Sequence, residues 1–283
     1  LLSSGLTAGP HSAWHVGRWK RTGRGGEGTG RDLADPGKLL IIATPIGNLE
    51  DLTLRARRVL GEVEALACED TRHTRILLDR YDIPRPRLLF SYHEHNEDRA
   101  AQRILGLLAS GQNVGLCSNA GYPGISDPGY VVISQAVSRG FAIEVIPGAS
   151  AVPTALLSSG LPTSSFTFKG FPPRKAGRRR AFLEAERDLP HTLVFYESPN
   201  RLGALLQAAL EVLGDRQAAV CIELTKMFED VRRGPLSDLV KEFEDRQVKG
   251  EVAVVIAGNN PKFTRDPGAV DGDGESTEGV GNR

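Results

Sequence analysis

The chain has 283 residues, 40% of them hydrophobic, and its 35 Lys plus Arg balance 35 Asp plus Glu. This excludes a general electrostatic attraction to nucleic acid or anionic lipid and leaves any polyanion contact to a local patch. No apolar stretch reaches the length of a membrane span and the opening residues lack a signal peptide's apolar core, so a cytoplasmic protein without membrane contact is expected.

Residues 1–37 are rich in Gly and Arg without apolar periodicity and read as a disordered extension or an over-long translation start. Their GRGGEG follows no strand and opens no helix, so its match to a dinucleotide loop carries no weight. Leu39–Ala43 is a buried strand, followed by the loop ATPIGN and a helix over Leu54–Leu60 that Thr53 can cap. A second strand, EALAC, ends at Glu69 and Asp70, and a helix over Thr71–Arg80 follows. The two carboxylates suit that helix's dipole. Arg72 and Arg75 oppose it, which points to a phosphate or carboxylate partner. His93 and His95 read as polar loop residues before a helix over Asn96–Ala109. A strand over Asn113–Cys117, a helix over Tyr130–Arg139 and a strand over Phe141–Ile146 complete the first half.

Strand and helix alternate here, which predicts a mostly parallel sheet with helices on its faces. A first α/β domain is expected over 38–152. A short helix bounded by prolines follows, and the second domain, over 153–260, has a more mixed sheet. Its strands are Thr192–Tyr196, Ala218–Leu224 and Glu251–Gly258, its helices Leu202–Leu213 and Leu239–Phe243, and VRRGPL reads as turn. Residues 261–283 read as a disordered polar tail. Cys68, Cys117 and Cys221 each end an apolar run and read as small buried strand residues. With no CxxC or HExxH, no metal site is expected.

Ser118–Gly129, SNAGYPGISDPG, is far longer than the roughly two to six residues such connections use. Its glycines permit close backbone approach, its prolines stiffen the turns, and Ser, Asn and Asp supply hydrogen-bonding groups. ATPIGN, CEDTR and IPGAS fall with it beyond the carboxyl ends of strands, where open α/β sheets bind ligands. A cleft between two domains would complete a pocket. The run FPPRKAGRRR concentrates Arg174, Lys175, Arg178, Arg179 and Arg180 and is either a solvated face or a nucleic-acid contact. In ESPNR and ELTKMFED, Ser198 reads as a cap and Lys226 and Glu229 as surface polarity.

Taken in order, ATPIGNLED, EDTR, SYHEHN, the S-x-A-G-x-P-x-I-S-D-P-G loop, PGASA, GFPPRK, FYESPNR and ELTK resemble the ribosomal RNA small subunit methyltransferase I family of the tetrapyrrole methylase superfamily. The resemblance covers about residues 38 to 260. It implies a two-domain α/β tetrapyrrole methylase-like fold with the active-site cleft between a parallel and a mixed sheet. It also implies a homodimer that uses S-adenosyl-L-methionine to methylate a cytidine 2'-hydroxyl in the 16S rRNA of the 30S subunit near the decoding centre. By matching motifs, the cofactor would lie against Pro45, Gly47, Gly121, Tyr122, Pro123, Ile125, Ser126, Asp127, Ser150, Ala151, Tyr196, Met227 and Ala253. Glu69, Asp70, Glu223 and Lys226 are the candidates for proton transfer, and Arg72, Arg75, Arg201 and the Arg174–Arg180 run for RNA phosphates. The family's usual SDAGTP is altered at Asn119, which keeps the shape of Asp without its charge, and at Tyr122, which keeps a hydroxyl but needs room. A retained but retuned site is expected. The alternatives are a corrin or porphyrin C-methyltransferase and a non-catalytic RNA-binding relative.

Overall fold

The computed structural model describes residues 35–244 and 246–264. The extension and tail expected from the sequence lie outside these residues except at their inner ends. Gly37 donates its N–H to the Leu108 carbonyl, Pro261–Phe263 form a 3-10 turn, and Phe263 packs on the second sheet.

The first half contains β1 (Lys38–Ile42), α1 (Leu54–Glu62), β2 (Ala65–Cys68), α2 (Thr71–Arg80), β3 (Leu88–Ser91), α3 (Glu97–Ala109), β4 (Val114–Cys117), α4 (Tyr130–Ser138) and β5 (Ala142–Ile146). All five strands are parallel, in the order β3-β2-β4-β1-β5. The unbroken apolar character of LLII, ALAC and VGLC follows from burial on both faces. Helices α1 and α2 cover one face through Ala56, Val59, Leu60, Leu77 and Leu78, and α3 and α4 the other through Ala101, Ile104, Val132 and Ala136. The starts of α1 and α2 are set by side-chain caps: Thr53 accepts from the Ala56 N–H and Asp70 from the Arg72 N–H.

The second half contains α5 (Ala151–Ser159), β6 (Phe166–Phe168), α6 (Ala176–Glu184), β7 (Thr192–Glu197), α7 (Leu202–Leu213), β8 (Gln217–Ile222), β9 (Asp230–Pro235), α8 (Leu236–Glu244) and β10 (Val252–Ile256). Its sheet runs β6-β7-β10-β8-β9 and is mixed: β6 is parallel to β7, and the other pairs are antiparallel. Helices α6, α7 and α8 bury one face through Leu183, Leu205, Leu206, Leu239 and Phe243. Helix α5 covers part of the other, against Val194, Ala219, Cys221 and Val255.

One reading of the second half is corrected. VRRGP of VRRGPL belongs to edge strand β9, whose Arg232 and Arg233 stand opposite Val220 and Ala219, and Leu236 opens α8. Charges on a strand edge discourage pairing with other chains, and they hide the strand from a search for apolar alternation. The basic run after Phe171, for which the sequence predicts no element, leads into helix α6, which seats Leu183 in the core while Arg178 and Arg180 face solvent.

Candidate active site

The carboxyl ends of β1, β4 and β5 carry the loops that face the second sheet. Thr44, just beyond β1, exchanges two backbone hydrogen bonds with Gly121, at 2.9 and 3.1 Å, which fastens the glycine-rich loop to the first strand's exit. The loop then folds on itself. Gly129 has φ +152°, and a Cβ there would stand 2.7 Å from the Gly124 nitrogen, so the close crossing before α4 admits only glycine. Tyr122 finds its room across the cleft mouth: its hydroxyl accepts the Gly148 N–H at 3.0 Å, tying this loop to PGAS.

The opposite wall comes from sheet register. Tyr196 on β7 and Cys221 on β8 both stand opposite Ala253 on β10, so the three form a row on one face, with the smallest side chain between two larger ones. Phe168 and Phe171 meet the Tyr196 ring edge-on at centroid distances of 4.8 and 5.8 Å. Between the walls lies a cavity of about 360 Å³ bounded also by Ile46, Ser150, Ala151 and Leu224. That size lies within the roughly 300–1,000 Å³ of small-molecule sites. Asp127 and Glu251 contribute carboxylates to its wall, and none of the lining residues is Lys, Arg or His. Glu197 borders the cavity through its backbone only: its side chain is 0% exposed and carries the ion pair with Arg201.

The carboxylates around this cavity differ in partners. Asp70 is held well below the usual carboxylate range by hydrogen bonds from Arg72. Glu69 accepts the Asn119 N–H at 3.1 Å. Lys226 Nζ bridges Glu223 at 2.7 Å and Glu251 at 3.0 Å. Burial opposes the charges, but these contacts lower Glu223 and raise Lys226. That turn is backbone-strained, with Glu223 at φ +51° and the β-branched Thr225 at +66°. It packs directly on the first domain: a Cβ at Gly47 would stand 2.5 Å from Lys226 Cγ, and the Asn48 N–H donates to Thr225 Oγ1 at 3.1 Å. Among the described residues Asp127 has no such cation. Burial, then the charges of Glu69 and Glu251, push its pKa up to about 6, while the Ser118 hydroxyl works the other way. Burial also pushes the Tyr196 phenol to about 12.

Nine of the residues matched to the cofactor line the cavity: Gly121, Tyr122, Ile125, Ser126, Asp127, Ser150, Ala151, Tyr196 and Ala253. Four do not. Gly47 packs on Lys226, Pro45 faces a small hollow beside His73 and Asn119, Pro123 is buried beside Gly129 where the loop crosses itself, and Met227 is 90% exposed. Ile46, Phe171, Cys221, Leu224 and Glu251 line it without having been singled out. Period-two counting along β8 would have flagged Cys221, whereas Glu251 joins only through folding.

Of the basic residues, Arg72 is paired with Asp70 yet largely exposed, Arg180 pairs with Glu211, and Arg201 is committed to Glu197, with Ser198 Oγ at 3.2 Å. Arg75, Arg174, Lys175 and Arg178 are exposed. The three cysteines are free and buried, and burial raises each thiol, Cys221 to about 12. Thiolate is the reactive form. The native protein is therefore expected to leave all three unmodified by a disulfide reagent at pH 8, and to titrate fully only in denaturant. Among the described residues no helix is long and apolar enough to cross a membrane.

Residues 38–240 match the family model described as tetrapyrrole (corrin/porphyrin) methylases. The chain is 46% identical over 228 residues to the ribosomal RNA small subunit methyltransferase I of Halalkalibacterium halodurans, covering 81% of this chain and 78% of that one. It is 42% identical to the protein of that name from Thermotoga maritima, over 78% of this chain and 99% of that one. In fold it is similar to a Thermus thermophilus uroporphyrin-III C-methyltransferase solved with S-adenosyl homocysteine, at a TM-score of 0.54 and 19% identity, covering 78% and 97% of the two chains.

Proposed function

Because the chain belongs to the ribosomal RNA small subunit methyltransferase I family of the tetrapyrrole methylases, we propose that it methylates a cytidine 2'-hydroxyl of 16S rRNA near the decoding centre, with S-adenosyl-L-methionine as methyl donor. The observation that carries the donor's identity is the chemistry of the cavity. Its walls are apolar and aromatic, its charged side chains are Asp127 and Glu251, and among the described residues no cation lines it. A phosphorylated nucleotide would find no counter-ion there. A nucleoside bearing a sulfonium finds aromatic surface for its base and carboxylates for its positive charge.

In this reading Gly121–Asp127 and Ser150–Ala151 hold the donor against the Tyr196–Ala253–Cys221 row. Methyl transfer from sulfur to oxygen is an in-line displacement, so fixing the donor and the acceptor hydroxyl in contact supplies much of the acceleration. Glu223 and Lys226, proton-transfer candidates by motif, act instead as a clamp: Lys226 fixes the Glu251 carboxylate at the cavity wall and the strained turn seats on the ATPIGN loop. Glu69 and Asp70 organise the loops after β2 and β4. Tyr122 bonds Gly148 rather than blocking the pocket, which supports a working site over a non-catalytic relative.

The RNA approaches over Phe171, beside which Arg174, Lys175 and Arg178 stand exposed, with Arg72 and Arg75 along the first domain's rim. Arg201 belongs to the scaffold. Such contacts position the substrate without selecting the base. Replacing Arg174, Lys175 and Arg178 by alanine is expected to weaken 30S binding and to lower the slope of log K against log salt by about 2 to 3, while leaving donor affinity unchanged. An unchanged slope would make this a solvated face. The enzyme acts as a cytoplasmic homodimer, for which light scattering is the check. Calorimetry tests the donor: saturable S-adenosylmethionine binding is expected, and no binding at millimolar donor would favour the non-catalytic relative.

A further inference from the structure

A ribose 2'-hydroxyl is a weak acid, so its proton must leave as the O–C bond forms, and a group near the methyl donor has to accept it. The carboxylates around the cavity can be sorted by what already binds them. Asp70 is the cap of α2 and is engaged by Arg72 through two side-chain nitrogens. Glu197 is wholly buried and paired with Arg201. Glu223 accepts from Lys226 and from the Glu251 N–H, and Glu251 is held by Lys226. Glu69 carries the Asn119 N–H and does not line the cavity.

Asp127 is different. It lines the cavity, it is half-buried, and among the described residues no cationic side chain is paired with it. It follows Ser126, whose φ of +61° is a left-handed conformation that a non-glycine residue adopts at a cost, and it precedes Pro128, so its backbone has little freedom. Its charged and titratable neighbours are Glu69 at the end of β2, Glu251 before β10 and Tyr196 on β7, with the Ser118 hydroxyl beside it. It thus stands between the strand ends of the first sheet and the wall of the second.

We propose that Asp127 accepts the proton of the acceptor 2'-hydroxyl during methyl transfer, an assignment that rests on the function proposed above. The hydroxyl O–H bond breaks as its proton passes to the Asp127 carboxylate, and the oxygen's electron pair forms the new bond to the methyl carbon. The carbon–sulfur bond breaks with its electron pair remaining on sulfur, so the sulfonium becomes a neutral thioether. Asp127 then returns the proton to water. Burial, the neighbouring Glu69 and Glu251, and the lack of a cation partner among the described residues give Asp127 more basicity than an ordinary carboxylate.

The test compares the wild-type protein with Asp127→Asn on unmethylated 30S subunits. Donor affinity is measured by calorimetry and transfer in a single turnover at saturating donor. At donor concentrations that calorimetry shows to saturate the variant, Asp127→Asn is expected to transfer at least about 100-fold more slowly, so that any weaker donor binding from the lost carboxylate is separated from the loss in the chemical step. In the wild type, kcat/KM for the donor should rise with pH to a plateau with a break near 6, and the variant's profile should be flat through that range. A variant that transfers within about threefold of wild type, or that loses donor affinity alone, overturns the assignment. The wild-type profile is a separate check: no break between pH 5 and about 7 also overturns it. A wild type that methylates no ribose overturns the proposed function itself, a result distinct from failure of the variant comparison.

Discussion

Replacing Ala253 by phenylalanine is expected to reduce S-adenosylmethionine affinity by at least about 100-fold while the protein still folds. Ala253 is the middle of the Tyr196–Ala253–Cys221 row, and its size is what leaves space between the second sheet and the glycine-rich loop. An added ring has one open direction, into the cavity of about 360 Å³, because the neighbouring strands flank it on either side. Inserting bulk into a packed core costs about 1–3 kcal/mol, but here the ring occupies space meant for a ligand, so most of the cost falls on binding. Each factor of ten in affinity is about 1.4 kcal/mol, so the predicted loss is close to 3 kcal/mol or more. Calorimetry with the donor, beside a thermal melt, decides it. Affinity retained within about threefold would move the donor out of this cavity.

The second large effect runs against the usual direction of mutation. Asp127→Asn is expected to stabilise the protein at neutral pH, by about 1–2 kcal/mol once solvent screening of the half-buried carboxylate reduces the roughly 3 kcal/mol that the shift alone would give, while it slows the reaction. The sign follows from proton linkage. Burial and its acidic neighbours raise Asp127 to about 6 in the folded protein, against an ordinary 3.8, so between those values the native state binds more protons than the unfolded one. Its contribution to stability is therefore most favourable below about pH 4, falls as pH rises through the window, and stays unfavourable above about 6. Asparagine removes the charge at every pH. The stability difference should be near zero at pH 4, grow toward pH 6 and level off by pH 7.5, read from urea midpoints at constant m. A variant less stable than wild type at pH 7.5 would show that the carboxylate is a satisfied structural acceptor instead.

How far the sequence carries varies between the two halves. In the first, strands buried on both faces write themselves as unbroken apolar runs, and Thr53 and Asp70 mark helix starts with side chains that do cap them. The short edge strand β3, set off by Pro84 and Pro86, escaped that reading, as did β6 with three residues. In the second half, charge masked both β9 and α6. Arginine is a good helix former, but a run of three reads first as a surface patch.

The site shows the same division. The loop residues from Gly121 to Asp127 announce themselves by composition, because the close crossing of Gly124 and Gly129 demands glycine. The opposite wall depends on pairings between distant strands. Cys221 becomes a neighbour of Tyr196 only because both pair with Ala253, and Glu251 reaches the cavity through Lys226. Met227 lies close in sequence to Leu224, which lines the cavity, yet its turn points it outward. Local composition finds loops that must bend. It does not find walls assembled by register.

The reading of this chain as a ribosomal RNA methyltransferase is tested most directly by incubating it with labelled S-adenosylmethionine and unmethylated 30S subunits and mapping the label by nuclease digestion and mass spectrometry. The result predicted is one methyl group on a cytidine 2'-oxygen of 16S rRNA. Absence of label in the rRNA, under conditions where a homologous enzyme transfers it, or label found on a nucleobase, would contradict the account.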